Sequence, residues 1–431
     1  MRRIETIFFL YNILITAAVI LGFPFFVIKL MTTEKYRAGA AQRLGFYPPE
    51  ALRKIAGHRP LWVHAVSVGE VIAAVPLIRE LRLQYPDRRI LVTTVTATGN
   101  RTARAQIKEA DAVLFFPFDL YPVVAKTIRR INPALFLLME TEIWPNCVRI
   151  LNGMTVPIMV VNGRISQGSY SGYRRIRFLM ARLLPMISVF SMQTNEDAER
   201  IVALGAPGER VVNSGNVKFD RQVHPLAPEE VKKIREEYFL PPTGPILVAG
   251  STHRGEESAL VRAFVGLREE IADLTLILAP RHPERSAEAE TLLQENSLSY
   301  QKRSRPEKGR TVLLLDTVGE LARLYGIAAV AFVGGSLVPT GGHNILEPAI
   351  YGVPVVFGPH MENFPEISAV MAERRGGIQV GDGEELAAVL RRLFRDDGER
   401  ANIGQAGMAV MKENQGSLEK NLQLIAKLLP R

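Results

Sequence analysis

Three acidic side chains and one lysine in the first half of the chain stand where an open α/β sheet does chemistry. Glu70 closes HAVSVGE (64–70), directly after the apolar run Leu61 to Val63 and at the start of a helical pattern running from Val71 into Leu81. Side chains and free helix-start N–H groups converge at the carboxyl ends of such strands, which makes Glu70 the first candidate for a catalytic base. METEIWPN (139–146) follows the run ALFLL and brings Glu140 and Glu142 to the same edge. Carboxylates beside Glu70 raise its pKa or share its proton, which suits a base working near neutrality; alternatively one of the pair is a helix-start carboxylate. Lys218, in GNVKFD (215–220) after the strand-like RVVNS, lies near the midpoint of the chain. An ammonium there can meet negative charge developing on a leaving phosphate, or it is a surface lysine.

The second half carries short polar motifs, each after an apolar run. GST (250–252) precedes HRGEE, and PRHPER (280–285) sets Pro280, Arg281 and His282 at a strand exit, where a cation suits a phosphate. In DTVGEL (316–321), Asp316 or Thr317 can cap a helix, and the Gly319 backbone can approach a flat base closely. GGSLVPTGGHNILEPAIYGVPVVFGP (334–359) is the densest cluster: Asn344 can cap the following helix, and Glu347 one turn in can accept hydrogen bonds from two ribose hydroxyls. Singly, a Gly-Gly is a turn, His282 or His343 a hydrogen-bonded structural residue and Glu347 a first-turn dipole partner. At successive strand ends of one sheet they form a binding edge.

These groups need two scaffolds. The runs PLWVHAV, RILVTTVT, AVLFFPF, ALFLLME, PIMVVNG and SVFSMQT, then GPILVAGS, LTLILAPR, RTVLLLD, IAAVAFVGG and VPVVFGP, alternate with helical patterns. Near-continuous apolar strands separated by helices predict parallel sheets covered on both faces, hence two doubly wound α/β domains. Proline-rich stretches over 221–243 break the rhythm and place the hinge close to Pro225. The expected organisation is a membrane anchor at 1–30, a first domain at 31–224, a second at 225–405, and a C-terminal helix at 406–431 crossing back to the first domain. With 431 residues, 47% hydrophobic and 23% charged, the chain is long enough for two ordinary cores.

The anchor expectation rests on Thr6 to Ile28, which has no charged residue and matches a bilayer core of ~30 Å as a helix. Its apolar run exceeds the usual signal-peptide core, while Pro24 leaves room for a re-entrant or interfacial segment. Lys29, Lys35, Arg37 and Arg43 follow it, against Arg2 and Arg3 offset by Glu5 before it, which favours a cytoplasmic body. The net charge of +9 favours anionic partners. Its basic residues are spread thinly, without an aromatic-interleaved stripe, so the reading is a lipid-facing or solvated surface and no nucleic acid. The single cysteine, Cys147, excludes a disulfide framework or thiolate cluster and reads as a buried small apolar residue. No P-loop, DxD pair, HExxH or GxSxG occurs.

Taken in order, SVGE, METEIWPN, GNVKFD, GSTHRGEE, PRHPER and GGSLVPTGGHNILEP resemble the 3-deoxy-D-manno-octulosonic acid (Kdo) transferases, over essentially the whole chain. The resemblance implies a GT-B fold, two Rossmann-like domains facing a cleft. It also implies an inverting, metal-independent enzyme, without a cofactor, that moves Kdo from CMP-Kdo to a lipid A precursor of the lipid IVA type at the inner membrane. Glu70 matches the general base; Glu140 and Lys218 match positions that stabilise the transition state, and only the resemblance separates Glu140 from Glu142. Pro280 and Arg281, then Val318, Gly319 and Glu320, then Asn344, Ile345, Leu346 and Glu347 match donor-binding segments, with Val318 and Ile345 acting mainly through backbone. The expected partners are CMP-Kdo, the lipid A precursor and anionic inner-membrane lipids. Two alternatives stand beside this one. The first is another GT-B enzyme, such as a UDP-sugar transferase or a UDP-N-acetylglucosamine 2-epimerase. The second is a membrane-tethered binding protein without activity, which the Glu70, Glu140 and Lys218 set disfavours.

Overall fold

A computed structural model describes residues 2–32, 37–220 and 225–429, with side chains of the first helix described at 6–22 and 32. The chain divides into two units, Met1–Asp220 with Gln415–Arg431, and Arg221–Asn414. Residues 221–224, which open the proline-rich stretch expected to hold the hinge, lie outside the described residues.

In the first unit, β1 (Leu61–His64), β2 (Ile90–Thr94), β3 (Ala112–Phe115), β4 (Leu135–Met139), β5 (Ile158–Gly163), β6 (Val189–Met192) and β7 (Val211–Asn213) form one sheet, ordered β3-β2-β1-β4-β5-β6-β7. Every pairing is parallel. Such a sheet is covered on both faces, and β1 shows how: Trp62 enters one apolar cluster with Phe116 and Phe136, while Leu61 and Val63 enter another with Val71, Leu77 and Leu81. The order reverses between β1 and β4, so the crevice of a doubly wound sheet opens at their carboxyl ends.

The second unit repeats the design. Strands β8 (Ile246–Thr252), β9 (Thr275–Pro280), β10 (Tyr300–Lys302), β11 (Val312–Leu314), β12 (Val330–Val333), β13 (Val355–Phe357) and β14 (Gly377–Gln379) are ordered β10-β11-β9-β8-β12-β13-β14. Its order reverses between β8 and β12. Two three-residue edge strands, β10 and β14, are absent from the expected pattern because Tyr-Gln-Lys and Gly-Ile-Gln carry no apolar run. Gly250, in the GST motif, is explained by Tyr325: a Cβ there would lie 2.0 Å from the fully buried phenol oxygen.

The single closing helix expected at 406–431 is two helices. Asp397–Glu413 belongs to the second unit and Ser417–Leu428 to the first. Gly416, at φ 98°, turns the chain between them. The last helix buries Leu422 and Ile425 in the core that holds Val71 and Leu81, and Asp220 accepts from the Gly416 and Leu418 N–H groups at 2.5 and 2.6 Å. Gly404 in the preceding helix touches backbone: a Cβ would stand 1.9 Å from the Gly352 carbonyl oxygen. Backbone cannot rotate away as a side chain can, so Gly404→Ala is expected to cost more than about 2 kcal/mol, read as a lower urea midpoint by circular dichroism.

The first helix, Arg2–Thr32, runs through Pro24 without a break. Its start is fastened to the first unit: Phe8 is fully buried, the Tyr11 hydroxyl donates to Asp119 at 2.9 Å, and Asn12 and Asn146 exchange amide hydrogen bonds at 3.1 and 2.9 Å. Beyond this, Leu14, Ile20 and Leu21 are 69%, 66% and 81% exposed. Among the described residues no helix is long and apolar enough to cross a membrane, so the expected spanning anchor is not found there.

Candidate functional site

Glu70 is the third residue of the helix Val68–Gln84, whose cap is Ser67. One carboxylate oxygen accepts from the Val66 N–H at 2.7 Å, and the other from the Ser67 N–H at 3.2 Å and hydroxyl at 2.9 Å, while Ser67 Oγ accepts from the Glu70 N–H. This reciprocal capping arrangement locks the side chain at the exit of β1. Glu70 is 6% exposed. Burial pushes its carboxyl up, to about 7, with Glu140 and Glu142 adding to the rise and the Val66 N–H and Ser67 hydroxyl opposing it. The expected influence of neighbouring carboxylates is therefore present, and burial is the larger cause.

Glu140 and Glu142 leave β4, the strand across the switch point from β1. Glu140 sits at φ 57°, in the left-handed region that a non-glycine residue adopts at a cost. Its N–H is held by the Val161 carbonyl at 2.9 Å. The Glu142 carboxyl is raised by burial and then by Glu140.

Lys218 lies in the short turn Val217–Phe219. Asn162, at the end of β5 and also left-handed at φ 56°, accepts from the Val217 N–H at 3.1 Å through its side chain. Its own carbonyl accepts from Gln193, Gln193 accepts from the Asn216 amide, and Asn216 accepts from the Lys218 N–H, at 2.9, 2.8 and 3.0 Å. These three amides set the backbone that carries the lysine. Asn162 stands out as a polar residue closing the apolar run PIMVV, a signal open to sequence reading, whereas Gln193 and Asn216 lie in polar stretches that do not mark them.

In the second unit the switch point is organised by Glu256, which had been quoted only as part of HRGEE. Its buried carboxylate accepts four backbone N–H bonds, from His253 at 2.8 Å, Gly335 at 2.7 Å, and Ser336 and Leu337 at 2.9 Å. Burial pushes this carboxyl up and the N–H groups pull it down. The partners lie 79 to 81 residues away, apart from His253, so no local pattern reveals them.

Pro280 is buried at the end of β9, and the N–H of exposed Arg281 donates to the Thr252 carbonyl at 2.9 Å. Val318 is 81% exposed and Gly319 sits at φ 97° with open space where a Cβ would stand, leaving that backbone accessible. Thr317 does not cap the next helix; its hydroxyl donates to Glu320 at 2.5 Å, beside Tyr238 and Arg303, each at 2.7 Å. Burial pushes the Glu320 carboxyl up, but these three donors outweigh it and hold it below the usual range. Asn344 does not hold the cap position of the next helix, which is Ile345; its side chain, one residue earlier, accepts from the Leu346 N–H at 3.2 Å. Ile345 and Leu346 are fully buried, and Glu347 is half-buried in the short helix Leu346–Ala349. In chain order the donor-segment residues close β9 or follow β9, β11 and β12, with Asn344 to Glu347 beyond the loop after β12. Among the described residues, no three His, Cys, Asp or Glu side chains gather so as to hold a metal ion.

Residues 38–221, which contain the Glu70, Glu140 and Lys218 segments, match the family 3-Deoxy-D-manno-octulosonic-acid transferase (kdotransferase). A 3-deoxy-D-manno-octulosonic acid transferase of Haemophilus influenzae is 34% identical over 427 residues, 98% of this chain and 99% of that one. The chain belongs to the Kdo transferase family. The transferase is a glycosyltransferase, and its solved neighbours carry the same GT-B-like fold at low identity. A Rickettsia africae glycosyltransferase aligns at TM-score 0.57 and 15% identity over 86% of this chain and 99% of that one. A UDP-GlcNAc 2-epimerase from Neisseria meningitidis aligns at 0.58 and 13%, over 85% and 99%. In the transferase Cys147 is fully buried, and burial pushes its thiol well above the ordinary value, with Asp119 adding to the rise, as for a packing residue.

Proposed function

We propose that the transferase moves Kdo from CMP-Kdo to a lipid A precursor of the lipid IVA type, in lipopolysaccharide core biosynthesis, by a single inverting displacement that needs no metal. The observation that carries this reading is the Glu70 carboxylate, fixed by three hydrogen bonds at a switch-point strand exit and poised near neutrality. It takes the proton of the acceptor sugar hydroxyl as that oxygen bonds to the anomeric carbon of Kdo. The bond from that carbon to the phosphate oxygen breaks, and CMP leaves with the electron pair. Lys218 meets the negative charge that gathers on the phosphate, and Glu140 stabilises the transition state beside it. Pro280, Arg281, Val318, Gly319 and Glu320, and Asn344 to Glu347, bind the donor. Accessible backbone at 318–319 takes the base, Arg281 takes an anionic group and Glu347 takes ribose hydroxyls.

Residues 6–28 and the basic surface hold the enzyme on the cytoplasmic face of the inner membrane, where anionic lipids and the acylated acceptor lie. The exposed Phe9, Leu10, Leu14, Ile20 and Leu21 support this attachment.

The test is mass spectrometry of purified protein in detergent with CMP-Kdo and tetraacylated lipid A precursor, with and without EDTA. Expected is Kdo addition unaffected by EDTA. Loss of addition in EDTA with recovery on Mg²⁺ overturns the metal-free displacement, and consumption of a UDP-sugar in place of CMP-Kdo overturns the donor.

A further inference from the structure

Two histidines at the switch point of the second unit form a bond that the reading above leaves unused. His253 follows β8 and His343 precedes Asn344, with their Nε2 atoms 2.9 Å apart. The ring centroids are 5.2 Å apart and the planes 12° from parallel. For five-membered rings whose nearest nitrogens are this close, that separation is an edge-to-edge arrangement. It aims the N–H of one ring along the lone pair of the other. One proton therefore lies between the two Nε2 atoms, and each ring keeps an outer nitrogen, Nδ1, one protonated and one not.

Two guanidiniums and a further imidazole lie about the pair. The Arg281 and Arg285 guanidiniums and His282 come from the segment after β9, with His282 set against His253 at 6.0 Å between centroids. Glu257 faces His253 from the helix Glu256–Arg268, but Arg285 pairs with it at 3.1 Å, and Glu284 lies 3.7 Å from His282. Glu256 already accepts its four N–H bonds. A free pair in this company stays neutral: burial first, then Arg281, His253 and His282, push His343 down to about 4, and burial, then His282, Arg285 and Arg281 against Glu257, lower His253.

Resting on the donor assignment above, we propose that the His253–His343 pair is a proton-linked recognition element for the donor's phosphodiester, taking up one proton from solvent as the anion docks beside Arg281. The anion offsets the positive field that adds to burial in keeping the pair uncharged, and the added proton gives a shared imidazolium whose two Nδ1–H groups are both donors. Binding then draws a proton whenever the pH lies between the free and the bound pKa of the pair, and affinity falls as pH rises through that window.

The probe is the methyl ester of CMP, a phosphodiester with no proton of its own to exchange near neutrality, titrated calorimetrically into the full-length protein in buffers of different ionisation enthalpy. Expected is uptake approaching one proton per ligand midway between the free and the bound pKa, with a fall in affinity approaching tenfold per pH unit there. Cytidine, lacking the phosphate, binds without uptake. His343→Gln, which keeps a hydrogen-bonding amide but cannot titrate, still binds the ester, with a flat pH profile and no uptake. Binding without uptake, or equal uptake in His343→Gln, overturns this inference and leaves the donor assignment standing. Absence of any binding of the ester overturns both.

Discussion

Glu70→Gln is expected to lower kcat by about 10²–10⁴-fold, the range over which a positioned general base contributes, while CMP still binds the second unit with its original affinity. Glutamine keeps the shape but cannot take a proton, and one of its two terminal groups no longer accepts, so part of the Ser67 and Val66 bonding is also lost. The pH profile separates these effects. Burial raises the Glu70 carboxyl to about 7, with Glu140 and Glu142 contributing, and only the deprotonated form is a base. At saturating donor, kcat/KM for the acceptor should rise about tenfold per pH unit up to that value and level off above it. A limb centred near the ordinary glutamate pKa would show that burial does not set the working value. A wild-type-like rate in Glu70→Gln would remove Glu70 from the mechanism.

Glu256→Ala should do the greatest damage in the second unit. Four buried N–H groups, on His253, Gly335, Ser336 and Leu337, lose their acceptor at once. An unsatisfied buried donor costs about 1–3 kcal/mol and such costs do not simply add, so a loss of at least about 3 kcal/mol is expected. The two units can be followed separately, because both tryptophans, Trp62 and Trp144, belong to the first. Urea unfolding should show a lowered midpoint by circular dichroism with the tryptophan fluorescence transition in place. CMP affinity should fall with it, since the loop at Gly335 and the end of β8 are no longer tied together. Unchanged midpoints by both probes would mean that the four N–H groups find other partners and that Glu256 is not what organises this edge.

The legible parts of this protein are the ones whose physics is local. A strand buried on both faces is apolar along most of its length, so the runs at 61–63, 135–139 and 246–249 announce themselves without a partner in view. The polar residues at their exits stand out against those runs, which is why Glu70, Glu140, Arg281 and Asn344 are visible in one dimension. The short edge strands β10 and β14 lack that contrast, and the break at Gly416 divides a helical pattern that reads as continuous because both halves have helical periodicity. Composition at 6–28 sets an uncharged run, but which of its residues are buried depends on what they meet: Phe8 enters the apolar core of the first unit, and Tyr11 and Asn12 are engaged by Asp119 and Asn146, more than a hundred residues away.

What the sequence determined by itself is the class of fold, two parallel sheets of buried strands, and the identity of the groups gathered at their ends, because hydrophobic patterning and residue chemistry are properties of short segments. How those groups are tuned depends on the folded arrangement. The rise of the Glu70 carboxyl comes chiefly from burial, the Lys218 turn is set by amides of Asn162 and Gln193, and the Gly335 loop and the His253–His343 bond are held in place across some eighty to ninety residues of chain. Desolvation and hydrogen-bond geometry depend on which atoms surround a group in space, and strand order at a switch point brings those atoms together from segments with no proximity in sequence.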